Sequence, residues 1–310
     1  MLLRTFIRLA AIVVTVLATS VFALAQEVPA ETPEATETAE TPGAAPLTGY
    51  AEVNGLSLYY EIHGEGGQPL VLLHGGLGGT VDFSQLLPLF AQTRQVIAVE
   101  LQAHGHTADI DRPMSFEAMA DDVAALVEEL GLETVDVLGF SLGGSVALQT
   151  AIRHPEIVRR LVLVSTVFSR DGWYPEVLAG MSGMNAEAAA MMLETPMYQF
   201  FASVAPDVEA GWPALVGKVG EMMAQDYDWS EDAAALEMPV LLIVSDSDSV
   251  QPAHALEFFH LLGGGIAGDF APALPASQLA IVPGTGHYGI LFRGDVLLPV
   301  ITPFLDTPTP

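Results

Sequence analysis

The chain has 310 residues, 51 % of them apolar, which is enough for one large domain with a sizeable core and an insertion. Its 38 acidic and 10 basic residues give a net charge of −28, a surface that repels nucleic acid and anionic membranes and excludes both as partners. The absence of cysteine excludes disulfides, thiol chemistry and lipoprotein attachment.

Arg4 and Arg8 precede an apolar stretch over residues 9–24, and Ala23-Leu24-Ala25 places small residues at the two positions a signal peptidase reads. Residues 1–25 are therefore expected to be a secretory signal cleaved after Ala25, giving a secreted or periplasmic protein, with an uncleaved membrane anchor as the alternative. Cleavage removes two arginines and no acid, so the charge moves from −28 to −30 and no stably inserting segment remains. Residues 26–49 are rich in Glu, Thr, Pro and Ala, contain no Lys or Arg, and read as a disordered acidic linker.

Folded structure is expected from residue 50. The stretch 51–60 reads as two alternating strands around an Asn54-Gly55 turn. Further along, strands are predicted at 69–73, 96–100, 135–138, 161–165, 238–244 and 279–282, and helices at 83–92, 115–130 and 145–154. The alternation predicts an α/β fold, a mostly parallel sheet covered by helices on both faces and built from 50–168 and 238–306. Residues 169–237 break the pattern and are expected to form a helical cap. That segment holds Met181, Met184, Met191, Met192, Met197, Met222 and Met223 with Trp173, Tyr198, Trp212 and Trp229, to be shared between cap core and an adaptable apolar pocket.

Candidate chemistry sits just past predicted strand ends, where open α/β sheets place their ligands. After 69–73 comes His74-Gly75-Gly76-Leu77-Gly78-Gly79, a glycine-rich loop able to aim the Gly76 N–H at a developing oxyanion. It lacks the Lys-Ser/Thr ending of a phosphate loop and the glycine spacing of a dinucleotide fingerprint. After 135–138 comes Gly139-Phe140-Ser141-Leu142-Gly143-Gly144, a G-x-S-x-G nucleophile elbow in which the Leu142 N–H would supply the second donor. A serine nucleophile needs a base and an orienting acid. His287 follows Pro283-Gly284-Thr285-Gly286, and the acid is sought in Ser245-Asp246-Ser247-Asp248, where the order Ser141, Asp248, His287 is the expected one, with Asp246 and Asp171 as competitors. His104, His106, Asp109, His254 and His260 show no hydrolase metal spacing, so neither metal nor cofactor is expected.

These motifs resemble the α/β-hydrolase superfamily of serine hydrolases over about residues 50–305, including its esterase, proline-iminopeptidase-like and haloperoxidase-like branches. The fourth position of the family's G-x-x-D acid pattern is Asp248 here, although Ser245 replaces the glycine. Glu100-Leu101-Gln102-Ala103-His104-Gly105-His106-Thr107 resembles its D-x-P-G-x-G-x-S segment with Glu, Gln, Ala and Thr at the characteristic positions. The resemblance implies a small-molecule acyl substrate and a carboxylesterase-like triad of Ser141, His287 and Asp248 working through an acyl-enzyme. Lactone, aminopeptidase-type, C–C bond or perhydrolysis chemistry on the same scaffold is the alternative.

Overall fold

Asn54 and Gly55 take left-handed backbone angles, φ 49° and 81°, and so turn strand β1 (Leu47–Val53) back onto β2 (Leu56–His63). The computed structural model describes residues 45–308, so the expected signal at 1–25 and nearly all of the expected linker at 26–49 lie outside the described residues. β1 takes the last residues of that linker segment, because Leu47 pairs with Ile62 and extends the hairpin ladder.

Six further strands follow: β3 (Leu70–Leu73), β4 (Val96–Val99), β5 (Val135–Phe140), β6 (Val158–Val164), β7 (Val240–Ser247) and β8 (Gln278–Gly286). The sheet order is β1-β2-β4-β3-β5-β6-β7-β8, with β1, β2 and β4 joined antiparallel and every pair from β4 to β8 parallel. Chain order reverses across β3 and β5. Their C-terminal ends therefore form the switch-point crevice of an open α/β sheet, and they carry the His74-Gly75-Gly76 loop and the Ser141 turn.

The helices are α1 (Leu87–Phe90), α2 (Phe116–Glu129), α3 (Leu142–Arg153), α4 (Pro175–Ser182), α5 (Ala186–Ala189), α6 (Pro196–Val204), α7 (Val208–Met223), α8 (Ser230–Ala234), α9 (Pro252–Leu261) and α10 (Gly294–Asp306). Alternate strand residues serve opposite faces. Val71 and Leu73 join the core with α2, α3 and α9, while Leu70 and Leu72 join the core with α1 and α10. Five helices, α4 to α8, lie between β6 and β7. Their Trp212, Leu215, Val216, Val219, Met222 and Met223 are buried in the same core as α2 and α3, whereas Met191 is exposed.

One predicted helix takes another form. Residues 83–92 divide into a 3-10 turn at Thr80–Phe83 and the short α1, because Pro88 has no N–H and its ring would clash inside a continuous helix. At α1 it sits in the first turn, where proline is tolerated. α3 starts at Leu142, three residues before its predicted start, and β8 runs on to Gly286, so His287 follows the strand directly.

Candidate active site

Ser141 stands between β5 and α3 with φ 53° and ψ −117°, a left-handed backbone that few non-glycine residues adopt. The turn is held by the Ser141 N–H, which donates to the Val164 carbonyl at 2.9 Å, and by the Ser145 N–H, which donates to the Ser141 carbonyl. Its flanking glycines are required by close backbone approach. A Cβ on Gly143 would meet the Leu73 and His74 carbonyl oxygens at 2.3 Å, and one on Gly139 would meet the Gly143 oxygen at 2.2 Å.

The three side chains singled out in the sequence meet here. His287 Nε2 is 2.9 Å from Ser141 Oγ, and His287 Nδ1 is 2.7 Å from Asp248 Oδ1. Asp248 Oδ1 also accepts from the Val250 N–H, while Oδ2 accepts from the Ser165 hydroxyl at 2.6 Å, the Ser245 N–H at 2.9 Å and the Ser245 hydroxyl at 2.8 Å. Burial by itself would raise this carboxyl. The hydrogen bond and charge of His287, with the Ser165 hydroxyl and the Ser245 N–H, hold it far below the usual carboxylate range instead.

The two competing acids point elsewhere. Asp246 is exposed and accepts from the Gly284 N–H, and Asp171 is exposed and accepts from the Ser169 hydroxyl. Phe140, Trp173 and Tyr288 surround the imidazole with ring centroids 5.1, 5.8 and 5.2 Å away. Phe140 and Trp173 are buried, whereas Tyr288 is exposed.

Two buried histidines, His74 and His104, hold the glycine-rich loop after β3 and the segment after β4. His104 Nε2 accepts from the Leu77 N–H at 3.2 Å, and His74 Nε2 accepts from the Leu101 N–H at 3.1 Å. Their Nδ1 atoms donate to the carbonyls of Gln102 and Gly75. Both rings must be neutral to accept at Nε2. Burial, with the neighbouring His104, lowers His74 to about 3, and burial lowers His104 to about 4. The Gly75 N–H donates to Asp82 at 3.1 Å, and among the described residues the Gly76 N–H has no acceptor. Leu142 heads α3, so its N–H has no acceptor inside the helix. The two residues are neighbours: a Cβ on Gly76 would stand 3.3 Å from Leu142 Cδ1.

The other histidines weighed for a metal have protein partners. His106 pairs with Glu100 at 2.9 Å, His254 Nε2 accepts from the Phe168 N–H, and His260 faces the Gly264 carbonyl. Among the described residues no three His, Asp or Glu side chains are grouped to hold a metal ion.

Residues 68–203 match the family model described as alpha/beta hydrolase fold. A pimeloyl-(acyl-carrier protein) methyl ester esterase of Neisseria meningitidis serogroup C is 31 % identical over 254 residues, covering 76 % of this chain and 92 % of that protein. The chain belongs to the α/β-hydrolase fold family. Solved structures agree on the fold of this hydrolase. The enol-lactonase from Burkholderia xenovorans LB400 superposes with a TM-score of 0.64 at 22 % identity, over 83 % of this chain and 100 % of its own. A thermophilic esterase from Thermogutta terrifontis gives 0.65 at 21 %, over 84 % and 98 %.

Ser165 and Thr166 escaped the sequence reading. Both follow β6 and touch the site through Asp248 Oδ2 and the Ser141 carbonyl, respectively. Their one sequence signal was position, just past a strand end on the same sheet edge.

Proposed function

We propose that this hydrolase cleaves carboxylic esters of small molecules through an acyl-enzyme on Ser141. The observation that carries the reading is the unbroken line of hydrogen bonds from Asp248 through His287 to a serine on a strained turn. Ser141 Oγ attacks the acyl carbon as His287 Nε2 takes its proton. Asp248 Oδ1, accepting from Nδ1, fixes the tautomer and stabilises the imidazolium. The Gly76 and Leu142 N–H groups, the latter at the N-terminus of α3, receive the oxyanion. Collapse breaks the ester bond, and the alcohol leaves with the proton from His287. Water, deprotonated by the same nitrogen, then releases the acid and restores Ser141.

The ester assignment draws on the 31 % identical methyl ester esterase and on the apolar rings around His287. A fluorophosphonate probe tests the nucleophile. The protein should be labelled at Ser141, and Ser141→Ala should remain folded, resist labelling and lose several orders of magnitude in turnover of neutral esters. Normal turnover by a folded Ser141→Ala would end the proposal.

We also propose that the protein is exported with cleavage after Ala25, on the strength of the small residues at 23 and 25. Intact mass of protein recovered from periplasm or medium should begin at Gln26. Recovery of the uncut chain from membranes would favour an anchor.

A further inference from the structure

We infer that Ser165 is a positioning residue for the reaction, acting on His287 through Asp248. The inference rests on the triad reading above. Ser165 is fully buried and has φ 53°, a second left-handed non-glycine residue one strand away from Ser141. Its N–H extends the β6 to β7 ladder by donating to the Ile243 carbonyl at 2.8 Å. With the backbone so fixed, its hydroxyl donates to Asp248 Oδ2 at 2.6 Å.

The two oxygens of Asp248 are thereby given separate work. Oδ2 receives three donors, from Ser165 Oγ, Ser245 N and Ser245 Oγ, which leaves Oδ1 to His287 Nδ1 and the Val250 N–H. A carboxylate held at one oxygen cannot swing about its Cβ–Cγ bond, so the plane and height of Oδ1 are set before substrate arrives. Two of those donors belong to Ser245, three residues before the acid at the end of β7, and hold the carboxylate to its own strand. Ser165 lies just past the neighbouring strand β6, so its hydroxyl ties the acid across to that strand as well.

Thr166 reaches the opposite way. Its hydroxyl donates to the Ser141 carbonyl at 3.1 Å and lies 3.0 Å from Ser145 Oγ on α3. A Cβ on Gly144 would meet Thr166 Cβ at 2.7 Å, so the elbow closes against this side chain. The dipeptide after β6 thus holds the acid on one side and the nucleophile on the other, and it sets the gap His287 must span.

The test is a double-mutant cycle in kcat/KM on a neutral ester, with active sites counted by fluorophosphonate titration so that unfolded protein does not enter the rate. Ser165→Ala in the otherwise unchanged protein should lose about 10–100-fold, mostly in kcat. In an Asp248→Asn background the same change should cost less than about twofold, because the group it acts through is gone. Ser165→Gly relieves the backbone strain while also removing the hydroxyl, and it should be as impaired as Ser165→Ala. Equal losses in both backgrounds, or full activity per titrated site in Ser165→Ala, would overturn the positioning role. Ser141→Ala, assayed alongside, separates the two readings: if it is active, the triad falls and this inference with it; if it is dead while Ser165→Ala is fully active, only the positioning role falls.

Discussion

At single residues, the decisive distinction is among Asp248, Asp246 and Asp171. Only Asp248 touches the imidazole, so Asp248→Asn should cost kcat far more than Asp246→Asn, on the order of 10⁴-fold against less than tenfold, since only the former mis-sets the His287 tautomer. Steady-state rates of the two variants decide it, and a larger loss in Asp246→Asn or Asp171→Asn would reassign the acid. Asp82 offers a pH prediction. Burial, assisted by the charge of Glu100 and opposed by the Gly75 N–H, raises its carboxyl to about 7. The folded protein therefore holds this proton more tightly than the unfolded chain, and stability falls as pH rises from about 4 to about 7. Asp82→Asn, whose amide oxygen can still accept from Gly75, should raise the thermal midpoint at pH 8 and change it little at pH 5. An equal gain at both pH values would contradict it. His74 and His104 act with the opposite sign: their folded values lie below that of the unfolded ring, so their share of stability is lost as pH drops below about 6.5.

At the level of elements, the strand, elbow and helix around Ser141 depend on glycines that carry no chemistry. Gly143→Ala would drive a methyl into two backbone carbonyls that cannot give way, whereas Gly180→Ala in α4 meets nothing within 4 Å. The first should destabilise by about 1–3 kcal/mol or more, the usual range for overpacking, and the second should stabilise by up to about 1 kcal/mol. Thermal or denaturant midpoints read both directly, and a neutral Gly143→Ala would mean that the elbow tolerates movement the geometry forbids. The segment between β6 and β7 is fastened at its ends by short backbone links. Trp229 N–H donates to the Phe168 carbonyl at 2.9 Å and Gln251 N–H to the Gly172 carbonyl at 2.8 Å. Trp173 Nε1 adds a bond to Tyr227 Oη at 3.2 Å while its ring lies edge-on to His287, which ties the segment after β6 to the sheet edge that carries His287.

Across the whole molecule, the scarce cations are already engaged. Of the eight basic residues described, the ten of the sequence less Arg4 and Arg8, seven lie within 4.0 Å of a carboxylate, and Arg160 donates to the Thr307 and Pro308 carbonyls. The remaining carboxylates set the field. Anionic esters should therefore be poorer substrates than matched neutral ones, and their kcat/KM should rise more steeply as salt shortens the Debye length from about 10 Å at 0.1 M to about 3 Å at 1 M. Assays of both ester series across that range check this, and preference for the anionic series at low salt would point to a local basic pocket that outweighs the net charge.

The sequence by itself determined the layered α/β architecture, the Asn54-Gly55 hairpin and the order Ser141, Asp248, His287 past strand ends, because these follow from local periodicity, turn chemistry and short motifs. It also carried the reason α1 is short, in Pro88, although a helix pattern over 83–92 concealed it. Tertiary structure alone decided which carboxylate meets the imidazole. Asp246 and Asp248 sit two residues apart at the end of β7, and only the irregular pairing of that end with β8 aims one at Gly284 and the other at His287. It alone, too, turned Ser165, Thr166, His74 and His104 into parts of the site, since each acts across strands on atoms 25 or more positions away: Ser165 on Asp248, Thr166 on Ser141, His74 on Leu101 and His104 on Leu77. Such contacts leave no period or motif in the chain, because what selects those side chains is the spacing between neighbouring strands and loops, and that spacing exists only once the sheet has formed.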